Sequence, residues 1–482
     1  MTIFMNKFFF HKKAAIIFSV ILITSFGSCG NNNSVRQTEG KNKALSAETE
    51  ISNADSPEQD TDETQGKIQT VAKPVIQDLE YPYKFSLKSG PPDTNVSYNG
   101  TILKAESESA GIRHFVLESG PGTLGFSRPG FKEITLEAGE IPSYLKRGIV
   151  QIKLEPENSR LQLLQEITTG SQPKSANFSH DGRFIFTPLL NGNGIDVFRF
   201  SPGGNGPPIV FEKRFTVPGS EAKGFVESFI DDRRRELWVS NMEENKLHVF
   251  NLDTFEHKKS FPSKGVMPKV IAQNPSGDIT VVSNWLSESI AFFDSDTKEW
   301  LYSIKTSGIP RGMTFSPDGQ LLYAAIFDEP LIEEINIAEK KVKRQFRFYA
   351  GTGAARHVIY HNGKLYVSDM AKGNVCIVDA ASGKLEKAVR VGPNINTICL
   401  SSDGEYLFAS SRGRNNPENY TVPGPDFGTV SMLSTKDLTI LDKVWGRNQP
   451  TGLAVSPDNN FLIFTDFLDN NLELYRIKTV SP

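Results

Sequence analysis

Seven times between residues 161 and 482 the chain repeats one pattern: an apolar run, a polar turn and a second apolar run. The copies are NFSHDGRFIFTPL, SFIDDRRRELWVSN, AQNPSGDITVVSN, TFSPDGQLLYAAI, VIYHNGKLYVSD, CLSSDGEYLFASS and AVSPDNNFLIFTD. Alternating runs around an Asp-Gly-like turn are a β-hairpin signal, since such turns reverse the chain while keeping the strand twist. Aligned on Gly182, Asp232, Gly277, Gly319, Gly363, Gly404 and Asn459, the copies are spaced 50, 45, 42, 44, 41 and 55 residues apart. Between them lie a third strand (KLHVFNLDT, SIAFFDSDT, NVCIVDAAS, TVSMLSTKD, NLELYRIKT) and a fourth (LYSIKTSG, LEKAVRVG).

Four strands per roughly 40–45 residues is the period of a β-propeller. The fold class is therefore all-β, a seven-bladed β-propeller over 161–482 with four-stranded blades. The last copy ends without a fourth strand, whereas RLQLLQEITTGSQP, ahead of the first copy, fits that pattern. Leu161–Thr168 is expected to complete the last blade, so that no open sheet edge remains. LYVSDMAKGNVCIVDAASGKLEKAVRVG resembles the YVTN-type repeat, and with it the cytochrome d1 and lactonase-like propeller superfamily. The resemblance implies the fold. It leaves function open, because this fold hosts enzymes, redox proteins and binding scaffolds.

The N-terminal third has another character. Lys7, Lys12 and Lys13 precede the apolar run Ala14–Ile23, too short to span a bilayer, and SFGSCG follows. This resembles a bacterial lipoprotein signal over residues 1–28, with Phe26 where Leu is usual. The resemblance implies cleavage before Cys29 and acylation of that residue, hence a membrane anchor at the cell envelope. Gly30 in place of an Asp gives the outer membrane a mild preference, with the face left open. From Asn31 to Glu80 there is no aromatic residue, so 29–80 reads as a disordered acidic tether. Short alternating runs between Gly and Pro turns over 81–156 read as a small β-sandwich preceding the propeller, and PDTNVSYNG with FSRPGFKEITLEAG resembles the PEGA-type modules. Gly120, Gly122 and Gly125 spell a dinucleotide fingerprint, but FSRPGF follows where a helix would be needed.

Net charge is only −3, so any electrostatic signal must be local. In a propeller the residues just ahead of each innermost strand share one face. Those positions read Lys174, Lys223, Lys269, Arg311, Arg356, Asn396 and Thr451; five of the seven are cations, suited to an anionic ligand or an acidic protein surface. Glu243, Glu244, Asp328, Glu329, Asp369, Asp466 and Asp469 lie in loops on the same face and are available to neutralise them. The long loop SRGRNNPENYTVPGPDFG (411–428) adds Arg412, Arg414 and Tyr420, the last a stacking platform.

No catalytic residue, metal site or cofactor is expected. His357 and His361 bracket one strand about 13 Å apart, too far to share a metal. No G-x-S-x-G is present, and Cys376 and Cys399 read as small core residues with a disulfide left open. The reading is a monomeric, non-catalytic binding scaffold using its basic-rimmed face. Two rivals stay open: a lactonase-like hydrolase drawing on Glu227, Asn284 and Asp328, and a polyanion or nucleic-acid binder, the near-neutral charge counting against nucleic acid.

Overall fold

The computed structural model describes residues 80–118, 122–137, 140–141, 145 and 148–478. The signal segment, Cys29 and the tether to residue 79 lie outside the described residues. The described chain is all-β, built from four-stranded sheets of the propeller kind. Seven of them follow one another from residue 161 to 477, and in six the order across the sheet is the order along the chain. The seventh takes Pro450–Val455, Phe461–Asp466 and Asn471–Ile477 from the end of the chain. Its outermost strand is Leu161–Thr168, antiparallel to Asn471–Ile477 with Leu161 opposite Ile477.

The sheets are held side by side by apolar clusters, each drawn from two neighbouring sheets. Trp238, Leu247 and Phe261 of the second meet Ile271, Val282 and Phe293 of the third. Phe178 and Phe200 of the first meet Phe461 and Leu472 of the last, with the rings of Phe200 and Phe461 at 5.2 Å. Both faces of each sheet are thus covered, which is why the second and third strands are near-continuous apolar runs. A side chain so buried contributes about 1.5–3 kcal/mol.

In six of the seven sheets the innermost strand carries a bulge where it begins. Pro268 pairs with Asn284, and pairing resumes at Ile271 opposite Val282, one extra residue on the inner strand. The same shift occurs at Phe225, Pro310, Ala355, Ile395 and Pro450. Bulges bend a strand and re-aim its side chains. At Gly312 and Gly452 the neighbouring inner strand comes so close that a Cβ would lie 2.6 Å from backbone atoms, the Cα of His357 and the carbonyl carbon of Ser175.

Residues 83–153 form two further four-stranded sheets around a core that includes Phe85, Leu87, Phe115, Leu124 and Phe126. This module is fastened to the last sheet and to the long loop. Lys153 reaches Glu166 at 2.6 Å and also the fully buried Glu473. Lys88 donates to the carbonyl of Gly424 at 2.7 Å and to Asn448 Oδ1.

Candidate functional site

Four of the sequence-derived cations come together. Lys269, Arg311 and Arg356 each follow the first paired residue of a bulged inner strand, Lys174 follows the isolated bridge Pro173–Leu189 ahead of Asn177–Phe178, and Arg412 joins them from just beyond the strand Tyr406–Ser411. All five are between 3 and 7% exposed. Lys223 does not join them. The strand Phe225–Asp231 begins two residues later and its bulge puts the buried Val226 at the equivalent place, leaving Lys223 exposed with Asn191 Oδ1 at 3.3 Å. Arg414 also points away, paired with Asp426 at 2.6 Å in an exposed loop. Tyr420 is half-buried and close enough for its hydroxyl to act electrostatically on Arg311 and Arg412.

None of the five cations has a carboxylate within 4 Å among the described residues. Three of them lean instead on soft or aromatic groups, and Arg356 donates to the Asn396 carbonyl at 3.4 Å. Lys174 lies 4.5 Å from the ring centre of Phe467, and Lys269 lies 5.1 Å from that of Trp285 and 2.8 Å from Met242 Sδ. Arg311 sits 5.8 Å over the same Trp285 ring. The Nε–H groups of Arg311 and Arg412 are buried with no hydrogen-bond partner. Glu227 is the carboxylate whose field reaches Lys269, Arg311, Arg356 and Arg412. The loop acids expected to neutralise the cluster are used elsewhere: Glu244 pairs with Lys246, Asp328 accepts from the Ile309 amide, and Asp369 accepts from the amides of Ala354, Ala371 and Lys372.

The electrostatic outcome follows. Burial, then Arg412, Arg356, Arg311 and Lys269, pushes the Lys174 ammonium well below its ordinary pKa. Burial and Arg311 do the same to Lys269, against the pull of Glu227. Burial brings Arg412 down to about 10. A buried charge without a partner costs several kcal/mol, so the cluster stores an unmet demand for negative charge.

Beside Arg356, the one cation of the five that lines it, the inner strands border a cavity of about 390 Å³. Its lining includes Asn177, Glu227, Arg356, His357, Thr397 and Cys399. Burial first, then Arg356, holds His357 down to about 4. Its Nδ1 accepts from the Ile398 amide at 3.4 Å, so at neutral pH the ring is uncharged with its proton on Nε2. Cys376 and Cys399 are both free thiols, and no group of three or more His, Cys, Asp or Glu suited to a metal occurs among the described residues. The sequence reading missed the aromatic supports, Trp285 and Phe467. Their signal was present: each sits one residue after the second strand of its sheet, on the face that carries the cations.

Fold and site together define an all-β, propeller-like protein with a buried basic cluster that shares Arg356 with a neighbouring cavity. No family model matches the chain. It is 34% identical over 363 residues to antigen Lp49 of Leptospira interrogans, covering 73% of this chain and 77% of that protein, and it belongs to the antigen Lp49 family. More distant similarity, 23% in each case, links it to the 6-phosphogluconolactonases of Formosa agariphila and Enterobacter sp.. These matches cover 44 and 40% of this chain, and 67 and 61% of those proteins.

Proposed function

We propose that the chain is an envelope lipoprotein, anchored through Cys29 to the outer membrane, that works as a non-catalytic binding protein taking an anionic ligand at the buried cation cluster. In this reading the seven sheets are the blades of a YVTN-type propeller, ringed shut by Leu161–Thr168, and the module at 81–156 is a PEGA-like sandwich. Pairing of Leu161–Thr168 with Asn471–Ile477 supports the ring, as does contact of the inner strand Asn177–Phe178 with Pro450–Val455. Membership of an antigen family accords with display at the envelope.

The observation that carries the binding reading is five buried cations with no carboxylate in ion-pair range. Proteins retain such a cost where a site requires it. The names of the two distant relatives denote action on a phosphorylated compound, which accords with an anionic ligand here.

Thermal denaturation at fixed ionic strength tests the reading. A ligand at a hundred times its Kd adds about 2.7 kcal/mol. Polyvalent anions at that level should raise Tm by roughly 3 °C. The double variant Arg311→Gln/Arg412→Gln should show no rise. An equal rise in both proteins would place anion binding elsewhere and end the proposal.

A further inference from the structure

Deepening that reading, and resting on it, we infer that the ligand is a compact oxyanion bearing at least two negative charges, taken whole into the channel. A polymer laid across its mouth does not fit the site. An extended polyanion is met by exposed, mobile cations that follow its backbone. Here the exposed cations nearby, Lys223 and Arg414, have turned to Asn191 and Asp426, and the unsatisfied ones are those at 3–7% exposure. Side chains so little exposed can be touched only by a small group.

The cavity agrees in size. Ligand pockets run from about 300 to 1,000 Å³, and the cavity that adjoins the cluster through Arg356, at about 390 Å³, lies at the metabolite end of that range. The charge count agrees as well: five cations and one nearby carboxylate, Glu227, leave an excess that one negative charge would not balance. The unpartnered Nε–H groups of Arg311 and Arg412 are donors in want of oxygen acceptors, and guanidinium forks match phosphoryl and carboxyl groups alike. Tyr420 stands beside both arginines, on a loop pinned by Gln449 at its backbone carbonyl (2.6 Å) and by Lys88 of the N-terminal module at Gly424.

Binding should also take up protons. In the empty site Lys174 faces Arg412, Arg356, Arg311 and Lys269, and Lys269 faces three of the same arginines with Glu227 opposing them. These neighbours and burial hold both ammonium groups below their ordinary range. An arriving anion reverses the field and lifts them, so protons move from solvent to protein.

Calorimetry on the full chain at pH 8 decides the matter, using inorganic pyrophosphate, citrate and a heparin-derived octasaccharide in two buffers of different ionisation enthalpy. The expected result is binding of pyrophosphate, citrate or both with proton uptake, weakened at least tenfold in R311Q/R412Q. Pyrophosphate alone would assign a phosphoryl ligand and citrate alone a polycarboxylate. Should that variant fail to fold, Lys269→Met, which keeps its stem against Trp285, takes its place. Binding of the octasaccharide alone, lost in the variant, would overturn the compact ligand and leave the anion site standing. Absence of any binding, or equal binding by the variants, would overturn both.

Discussion

Lys153 and Lys269 are both buried ammonium groups, yet their surroundings give them opposite meanings. Burial works against the charge on each. Around Lys153 it is outweighed by Glu473, Glu166 and Asp466, which together hold the lysine above its ordinary pKa. Around Lys269 the arginines reinforce it. The first lysine is a structural pin between the N-terminal module and the last sheet, satisfied by two carboxylates and 3.5 Å from the Tyr475 hydroxyl. Lys153→Met should therefore destabilise by about 3–5 kcal/mol, because it strands a buried carboxylate. Adding Glu473→Gln should recover part of that loss in urea denaturation, since the stranded charge goes with it. No recovery would mean that Lys153 acts through packing alone. Glu166 gives the pin an acid limit: although burial opposes it, Lys153 and Arg447 hold its pKa down. Its contribution is full above the ordinary carboxylate pKa and fades as pH falls through the depressed one.

At the scale of the element, the second strand of a sheet does more than cover the first. Near its end stands a hydroxyl that accepts from a bulge amide of its own sheet and donates to a carbonyl of the next. Ser283 Oγ accepts from Val270 N at 3.1 Å and donates to Arg311 O at 3.0 Å. Ser368 and Thr465 repeat the arrangement toward Asn396 O (3.1 Å) and Pro173 O (3.2 Å). Ser240 donates to Lys269 O at 2.7 Å. The hydroxyls thus fix the backbone on which the cations are mounted. In the fourth sheet the equivalent residue is Ala325, opposite the bulge at Pro310 and Met313. Ala325→Ser should gain about 0.5–1.5 kcal/mol by restoring the stitch, and Ser283→Ala should lose about 1–3 kcal/mol by orphaning two buried groups. Chemical denaturation of the pair checks both signs, and a loss in Ala325→Ser would show that the fourth junction has no room for it.

These stitches also mark how far the sequence could be read. Period, turn chemistry and the swap of Leu161–Thr168 into the last sheet are local or pairwise signals, and they were legible. Placement of Lys223 was not, because a bulge changes register by one residue without changing composition. The cations were legible as a series of similar residues ahead of similar strands. Their burial was not, since it depends on how closely the inner strands of neighbouring sheets approach one another, and that depends on packing between sheets rather than on local sequence. The pins from Lys88 and Lys153 reach partners 336 and 320 residues along the chain and carry no local signature.

For the molecule as a whole, the site and the fold compete for the same free energy. Sheets packed by Phe, Trp and Leu draw the inner strands together, and in doing so they push like charges into a space where no carboxylate is in ion-pair range. The consequence for pH has a definite sign. Lys174 and Lys269 have folded pKa values below the unfolded value of 10.5, so between the two the unfolded chain binds more protons. Stability of the empty protein should rise with pH across that window, since the slope follows the excess protons of the unfolded state. Lys88, which burial brings down to about 8, adds to the rise between pH 8 and 10.5. A bound anion that returns Lys174 and Lys269 to the charged form should flatten their part of the slope. Urea midpoints at pH 7 and 9.5, with and without pyrophosphate, measure the effect. The parent should gain stability toward pH 9.5 when empty, and Lys174→Met/Lys269→Met should gain less. Equal pH slopes in the two proteins would mean that the lysines keep their charge unaided, and that the fold has met its own electrostatic demand.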